Sequence, residues 1–423
     1  MDTDVSVIVH DFKIRGKPIY LKSVPMRKFK HWSAVVVTLV VTVFGALLYI
    51  NFSSGEKQIH YEIEHEFAVE DPQLLRSIAP LLGPEILPGK RVTALHNGRD
   101  IFPAMLAAIR CPLQRAQAEV KMHVILDAVG CGKIETTYLD EMKAAGVQVE
   151  RYHPLNWYTL ARINNRTHRK LLVDGRIGFT GGVGITDPWT GNADAADHWR
   201  DSHYQLEGPA VAQMQAVFCD NWIKTRAKVL CGPAYFPNLK PVGDSSAQVF
   251  KSSRGEGSES VRLMYLLSIA SATKSIRLQV AYFVPDELAI RTFISAYKRG
   301  VKVEIIVLGP HADSEIVAGA SRALWGDLLD AGVQIHEFQP AMYHYKVIIV
   351  DGVWVSVGST NFDDRSFRLN DEANLNVYDR AFAAEQVGQD KAKSRRMSRA
   401  EFKNRSFVGK IWNHVSVSLR RQL

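Results

Sequence analysis

At 423 residues, with 46% hydrophobic and 23% charged residues, the chain can bury two separate cores and is too apolar to be disordered. Its net charge of +8 sits at the ends: residues 1–31 carry seven Lys/Arg against Asp2, Asp4 and Asp11, residues 381–423 carry ten against Glu385, Asp390 and Glu401, and the body between is net −3. A nucleic-acid groove needs that excess in the body, so the distribution argues against a nucleic-acid partner and favours contact of the ends with anionic lipid.

Residues 32–52 form 21 positions without a charge, long enough to span a bilayer's hydrocarbon core, with Trp32 and Tyr49 near the ends as interfacial aromatics. They predict an uncleaved transmembrane anchor between a basic N-terminal segment (1–31) and a polar juxtamembrane segment (53–86). Arg27, Lys28 and Lys30 precede the span and only Lys57 follows closely, which predicts a single-pass protein with its N-terminus in the cytoplasm. From residue 87 the pattern changes. Phe102–Ile109 reads as a helix, Val120–Leu126 as a buried strand, Tyr138–Gly146 as a helix closed by glycine, and Val147–Tyr152 as a strand. Residues 231–258 are rich in Gly, Pro and Ser, and 236–257 read as a linker. Beyond it, Ser258–Ala270 reads as a helix, Ile276–Phe283 as a strand, Asp286–Lys298 as a helix and Val301–Val307 as a strand. Ala323–Gly332 (helix) and Val333–Phe338 (strand) follow. This alternation predicts an α/β fold of two lobes, 87–235 and 258–423, each a mixed sheet flanked by helices.

Two stretches say nearly the same thing: His168-Arg-Lys170-Leu-Leu-Val-Asp174-Gly175 and His344-Tyr-Lys346-Val-Ile-Ile-Val-Asp351-Gly352. Side chains two apart on a strand share a face, so each His points with its Lys, and the Asp-Gly before a second apolar run reads as a hairpin turn. Two copies 176 positions apart suggest a duplicated unit that brings two histidines to one site.

These residues resemble the phospholipase D superfamily, whose signature is His-x-Lys, four residues, Asp, then Gly-Ser/Gly and Asn. The second copy fits throughout, ending in Gly358-Ser359-Thr360-Asn361. Around both copies the chain is similar to the cardiolipin synthase branch. The phrases that carry this are Asn165–Lys170, Asn361–Phe367, Leu369–Asn374, and Trp199–His203 with Gly208-Pro209-Ala210. The resemblance covers roughly residues 87 to 423. It implies two pseudo-symmetric lobes, membrane residence in a bacterial (inner) cell membrane, and an anionic phospholipid substrate.

The first half departs from this pattern. Between Ile109-Arg110 and Val120-Lys121 lie nine residues (111–119), too few for the strand and helix that stand between Ala270 and Val301. Lys170 and Asp174 enclose three residues where Lys346 and Asp351 enclose four, and a strand shortened by one turns its side chains to the other face unless a bulge absorbs the change. The first half also has Gly181-Gly182-Val183-Gly184 where the second has Gly-Ser-Thr-Asn.

A phosphodiester repels nucleophiles with its anionic oxygens, so attack needs positive charge, a nucleophile and an acid for the departing alkoxide. Lys170 and Lys346 can supply the charge, with no metal or cofactor expected. His168 and His344 can supply the other roles. The resemblance implies a phosphohistidine, with His168 as nucleophile and His344 as acid and base. Asp174 and Asp351 are expected to hold the imidazoles or act from farther off as charge partners. Ser359 and Asn361 are expected to contact phosphate, and Asn370 and Glu372 to support the site. Asp201 and His203 read equally as structural or as bordering the site; His123 and His336 read as core, and His153 as a loop residue. Cys111, Cys131, Cys219 and Cys231 lack metal-type spacing and read as buried or incidental thiols. Three functions stay open: a phosphatidyltransferase joining two phosphatidylglycerols into cardiolipin and glycerol, a phospholipase D using water, and a nuclease or non-catalytic scaffold. Oligomeric state is not legible.

Overall fold

The computed structural model describes residues 13–14, 17–18, 35–46, 67–74, 83–115, 121–154, 165–253, 260–388 and 390–418. The chain divides into two units, residues 1–58 and 59–423. In the first, β1 (Lys13–Ile14) pairs antiparallel with β2 (Lys17–Pro18), and residues 35–46 form a helix with its valines, Leu39 and Phe44 exposed. Among the described residues no helix is long and apolar enough to cross a membrane. Positions 32–34 and 47–52 of the predicted anchor lie outside the described residues.

The second unit is built on one sheet of twelve strands. In chain order the strands of this unit begin with β3 (Leu87–His96), β4 (His123–Asp127), β5 (Gln148–Tyr152), β6 (Leu171–Val173), β7 (Ile177–Gly181), β8 (Trp199–Arg200) and β9 (Ser202–Glu207). There follow β10 (Ser245–Ser252), β11 (Ser275–Val280), β12 (Lys302–Leu308), β13 (Gln334–Phe338) and β14 (Met342–Tyr343). The last four are β15 (Lys346–Val350), β16 (Trp354–Gly358), β17 (Glu372–Tyr378) and β18 (Ser394–Arg396). The sheet order is β18-β13-β12-β11-β15-β16-β17-β10-β3-β9-β7-β6. β11, β12 and β13 run parallel; the other pairings in this sheet are antiparallel.

β10 lies inside the stretch expected to be a linker. Flanking Gly, Pro and Ser hide it, yet Ala247, Val249 and Phe250 are buried and its pairing with β17 and β3 joins the two halves. The halves also share a core: Leu206, Met214 and Val217 of the first pack in one cluster with Val347, Val355 and Leu375 of the second. A second core lies under the helices Ser260–Ala270 and Glu287–Lys298, where Leu266, Ile269 and Phe293 meet Leu278, Ile305 and Ile348. Val69 and Leu74, from the expected juxtamembrane segment, are buried in that cluster. The predicted helix over 323–332 is the shorter Gly326–Ala331, closed by Gly332 at φ +104°, and another helix, Glu315–Ala323, precedes it.

The halves differ at the outer strands. β15 is flanked by β11, which links it to β12 and β13. β6 is an edge of the twelve-stranded sheet, and β4 and β5 pair parallel as a separate sheet. The helix Asn97–Arg115 runs on past the predicted Phe102–Ile109, and five residues separate its end from residue 121.

The one-residue shortfall between Lys170 and Asp174 is absorbed by the turn. Leu171 pairs with Thr180 and Val347 with Val357, so Lys170 comes opposite Gly181 as Lys346 comes opposite Gly358. In the first hairpin the Asp174 amide donates to the Ile177 carbonyl (3.1 Å), leaving two residues at the tip. In the second, Val350 pairs with Trp354 around three residues, with Asp351 at φ +53° and Gly352 at φ +66°. The strand faces before each turn stay equivalent. The expected flip does not occur.

Candidate active site

Each motif histidine is placed by the other half of the chain. Backbone pairing sets this up: the His168 amide donates to the Asp371 carbonyl (2.9 Å), and the Asp371 amide to the Arg166 carbonyl (2.8 Å). His168 therefore enters beside Glu372. In the mirror arrangement β14 pairs parallel with β8, and the His344 amide donates to the Arg200 carbonyl (2.8 Å), which brings His344 beside Asp201.

The imidazoles meet those carboxylates directly. His168 Nδ1 lies 3.0 Å from both Glu372 oxygens, and His344 Nδ1 lies 2.7 Å from Asp201 Oδ2. A carboxylate only accepts, so each Nδ1 carries the hydrogen and each Nε2 keeps its lone pair for chemistry. The two acids are equivalent in register. Gly181 pairs with His203 and Gly358 with Asn374, and Asp201 and Glu372 each stand two residues before that partner. Asp201 thus belongs to the site. His203, next on the same face, is buried with neither ring nitrogen hydrogen-bonded.

Asp174 and Asp351, expected to hold the imidazoles or to act on them from farther off, make no contact with either ring and accept from groups at the turns. Asp174 accepts from the amides of Arg176 (2.8 Å) and Ile177 (2.7 Å). Asp351 accepts from Thr273 N and Oγ1, Lys274 N and Ser275 N, at 2.7 to 2.9 Å. Both sit at the far end of their hairpin arm, beyond three or four residues of strand. Ser359 also differs from expectation: its hydroxyl donates to Glu372 Oε2 (2.5 Å) rather than standing free for phosphate. Asn361 is buried with its Oδ1 unpartnered, and Asn370 Nδ2 donates to Glu372 Oε1 (3.3 Å).

The lysines complete the constellation. Lys170 Nζ donates to the His168 carbonyl (3.0 Å) and Lys346 Nζ to the His344 carbonyl (2.6 Å), with Lys346 Nζ 3.3 Å from His344 Nε2. Arg169 points the opposite way. Its guanidinium is buried against Asp220, Asn221 and Ser253, which pins the strand entry to the helix Val211–Arg226. The loop before His168 is tied to β4 by Asp127, which accepts from Arg166 and from the Thr167 amide (3.0 Å). Tyr152, at the end of β5, donates to Asp371 Oδ2 (2.6 Å).

The electrostatics join the motifs in one field. Burial pushes His344 down to about 4, with the Lys346 charge adding to it and Asp201 resisting. Burial also lowers His168; Glu372 opposes the shift while Lys170 and Lys346 reinforce it. Burial pulls Lys170 down to about 8, against Glu372 and with the charge of Lys346. Burial raises both acids, but Asp201 is drawn below its usual range by His344 and Lys346, and Glu372 by His168 and Lys170. Each lysine acts on the histidine of the opposite motif, as neighbours within one site must. Two neutral imidazoles with outward lone pairs beside two ammonium groups form a receptor for an anion carrying an electrophilic centre.

Among the described residues, His123 and His336 make contacts of their own. His123 Nε2 meets the Tyr235 hydroxyl (2.9 Å) and packs on Trp222; burial holds His336 at about 4. Cys219 is buried, and Cys131 and Cys231 are free thiols.

Comparison with known proteins fits this geometry. Residues 265–389 match the family described as "Cardiolipin synthase, PLD-like domain". A cardiolipin synthase of Geobacillus kaustophilus (strain HTA426) is 35% identical over 273 residues, which are 64% of this chain and 54% of that protein. The chain therefore spans about half the length of that relative. Cardiolipin synthase A of Pseudomonas putida is 31% identical over 335 residues, 73% of this chain and 69% of that protein. Among solved structures, a phosphatidylserine synthase of Haemophilus influenzae Rd KW20 superposes with a TM-score of 0.60 at 13% identity, covering 84% of this chain and all of that one, a likeness of fold. From the doubled motif, the mixed sheet and these similarities together, the chain belongs to the cardiolipin synthase family of the phospholipase D superfamily.

Proposed function

We propose that the chain is a membrane-bound phosphatidyltransferase of the cardiolipin synthase type, which joins two phosphatidylglycerols and releases glycerol. The observation that carries this reading is the crossed pairing His168–Glu372 and His344–Asp201, with the charges of both Lys170 and Lys346 acting on each imidazole. An incoming phosphodiester anion would sit against both ammonium groups, and its charge would raise the His344 imidazole so that it takes up one proton at Nε2 from solvent while His168 stays neutral. His168 Nε2 would then attack phosphorus, as the more accessible ring with 27% of its side chain exposed against 7% for His344. His344 would give its proton to the departing glycerol oxygen, leaving a phosphatidyl-histidine. It would next take the proton of the acceptor's hydroxyl as that oxygen displaces His168. No atom is left over and both imidazoles return to their starting state.

Two features support a lipid rather than a soluble substrate. Residues 32–52 read as a single-pass anchor with its N-terminus in the cytoplasm of a bacterial cell, and the described part, 35–46, is helical with its apolar side chains exposed. At the other end the helix Phe407–Ser418 exposes Phe407, Ile411 and Trp412 beside the basic tail, as a helix lying in a membrane interface does. The first lobe, 87–235, is read as shortened between residues 111 and 119, with His168 still held because Glu372 comes from the second. The test is incubation of the full chain with phosphatidylglycerol in mixed micelles and mass-resolved lipid analysis. Cardiolipin with equimolar glycerol supports the reading. Phosphatidic acid alone would replace it with a hydrolase, and no turnover would overturn it.

A further inference from the structure

We infer that Trp189 is a positioning residue for His344, supplying through its indole N–H the hydrogen bond that Ser359 supplies in the other half. The inference deepens the proposed reaction and rests on that reading only for its catalytic consequence. In the second half one carboxylate oxygen, Glu372 Oε2, lies 3.0 Å from His168 Nδ1 and accepts from the Ser359 hydroxyl (2.5 Å). The serine follows Gly358 and its amide donates to the Ala373 carbonyl (3.0 Å). In the first half Gly182 stands at that place, after Gly181, with its amide on the Ser202 carbonyl (3.2 Å). No hydroxyl can be put there. A Cβ on Gly182 would come 2.4 Å from Asp201 Oδ1 and 2.6 Å from Oδ2, because the shorter aspartate carries its carboxylate over the glycine.

The missing donor arrives from elsewhere. Trp189 Nε1 donates to Asp201 Oδ2 (3.0 Å), the same oxygen that lies 2.7 Å from His344 Nδ1. The Trp189 ring meets His344 edge-on, with centroids 5.4 Å apart at 85°, and leans on Trp199 at 4.3 Å. The other Asp201 oxygen accepts from the Ser202 amide (2.8 Å), so the carboxylate has no freedom to turn.

The tryptophan itself is fixed in advance. It ends the 3-10 turn Asp187–Trp189, its amide donating to the Thr186 carbonyl (3.1 Å). Gly98 lets the loop approach: a Cβ there would lie 2.1 Å from the Trp189 carbonyl. Gly184 leaves room for the ring, with a Cβ there 3.1 Å from it. Glycines at 182 and 184, where the second half has Ser359 and Asn361, thus read as space for a carboxylate and an indole.

A donor on Oδ2 draws off charge that the imidazolium would otherwise use, so it holds the His344 titration down. The test is histidine titration by long-range nitrogen NMR on the full chain in lipid-free detergent micelles. Trp189→Phe should raise the His344 midpoint and leave His168 in place; Ser359→Ala should raise His168 and leave His344. Trp189→Phe should also lower kcat for lipid transfer about tenfold, equal to about 1.4 kcal/mol, with KM unchanged. A His344 midpoint unmoved by Trp189→Phe, or both midpoints moving together, would overturn the assignment. Should the variant not fold, the indole N–H resonance of the unaltered chain decides: it should shift with His344 protonation, and indifference to it would overturn the assignment. Absence of lipid turnover alongside the selective shifts would refute the proposed reaction and leave Trp189 in its role.

Discussion

Replacing Glu372 by Gln keeps the shape of the side chain, removes its charge and turns one acceptor into a donor. In the native chain this fully buried carboxylate receives His168 Nδ1 on both oxygens at 3.0 Å, Ser359 Oγ at 2.5 Å and Asn370 Nδ2 at 3.3 Å. Three donors converge on two acceptors, and a carboxamide offers one acceptor and one further donor. Exchanging a charged for a neutral acceptor costs about 1 kcal/mol, and turning an N–H towards a buried donor adds roughly 1–3 kcal/mol. A total of about 2–4 kcal/mol corresponds to a loss of about 30- to 900-fold in kcat/KM. Steady-state transfer from phosphatidylglycerol in mixed micelles gives the number, and histidine NMR gives its cause. Burial already holds His168 below its ordinary value, and Glu372 is the group that raises it, so its midpoint should fall further in Glu372→Gln. Activity within threefold of the parent, or an unmoved His168 midpoint, would refute the view that this carboxylate orients the ring.

Arg169→Ala should cost about 1–3 kcal/mol of unfolding free energy, because Asp220 keeps Lys224 and Lys251 while Asn221 Oδ1 and the Val217 and Ser252 carbonyls lose their buried donor; urea denaturation reads this directly. Asp351→Ala, which removes an acceptor from Thr273, Lys274 and Ser275, should cost about 2–4 kcal/mol by the same assay, whereas Asp174→Ala at its exposed turn should cost under about 1 kcal/mol. Burial holds both His203 and His344 at about 4, well below an unfolded value near 6.5, so the unfolded chain binds more protons in that window. Their contribution is fully present above about pH 6.5 and is lost as pH falls towards 4, by about 3 kcal/mol for each ring. Urea midpoints should therefore drop steeply from pH 7 to 4.5, and His203→Leu should flatten that slope.

The hairpins could be read from sequence because their causes are local. His and Lys two apart on an apolar run, followed by Asp-Gly, determine facing and turn within eight or nine residues. The groups that hold the histidines could not be read this way. Asp201 lies 143 positions from His344 and Glu372 lies 204 from His168, and the parallel bridges at Asp371 and Trp199 set them beside one another. Asp174 and Asp351 looked suitable by proximity in the motif, but a strand carries them away from the ring they follow. β10 is hidden because its apolar residues are only Ala247, Val249 and Phe250, set among Ser, Gln and Lys inside a stretch of turn-forming residues. The shortened first motif misled in the same manner, since a two-residue turn replaces a three-residue one and leaves the strand faces alone.

The most direct measurement of the central claim is mass mapping of the covalent adduct after incubation with phosphatidylglycerol and an alkaline quench, which spares a phosphorus–nitrogen bond. A phosphatidyl mass on the peptide bearing His168, absent in His168→Ala and formed more slowly in His344→Ala, is the predicted result. Cardiolipin formation with no adduct on either histidine, or undiminished formation in His344→Ala, would contradict a single phosphate held between two crossed imidazoles.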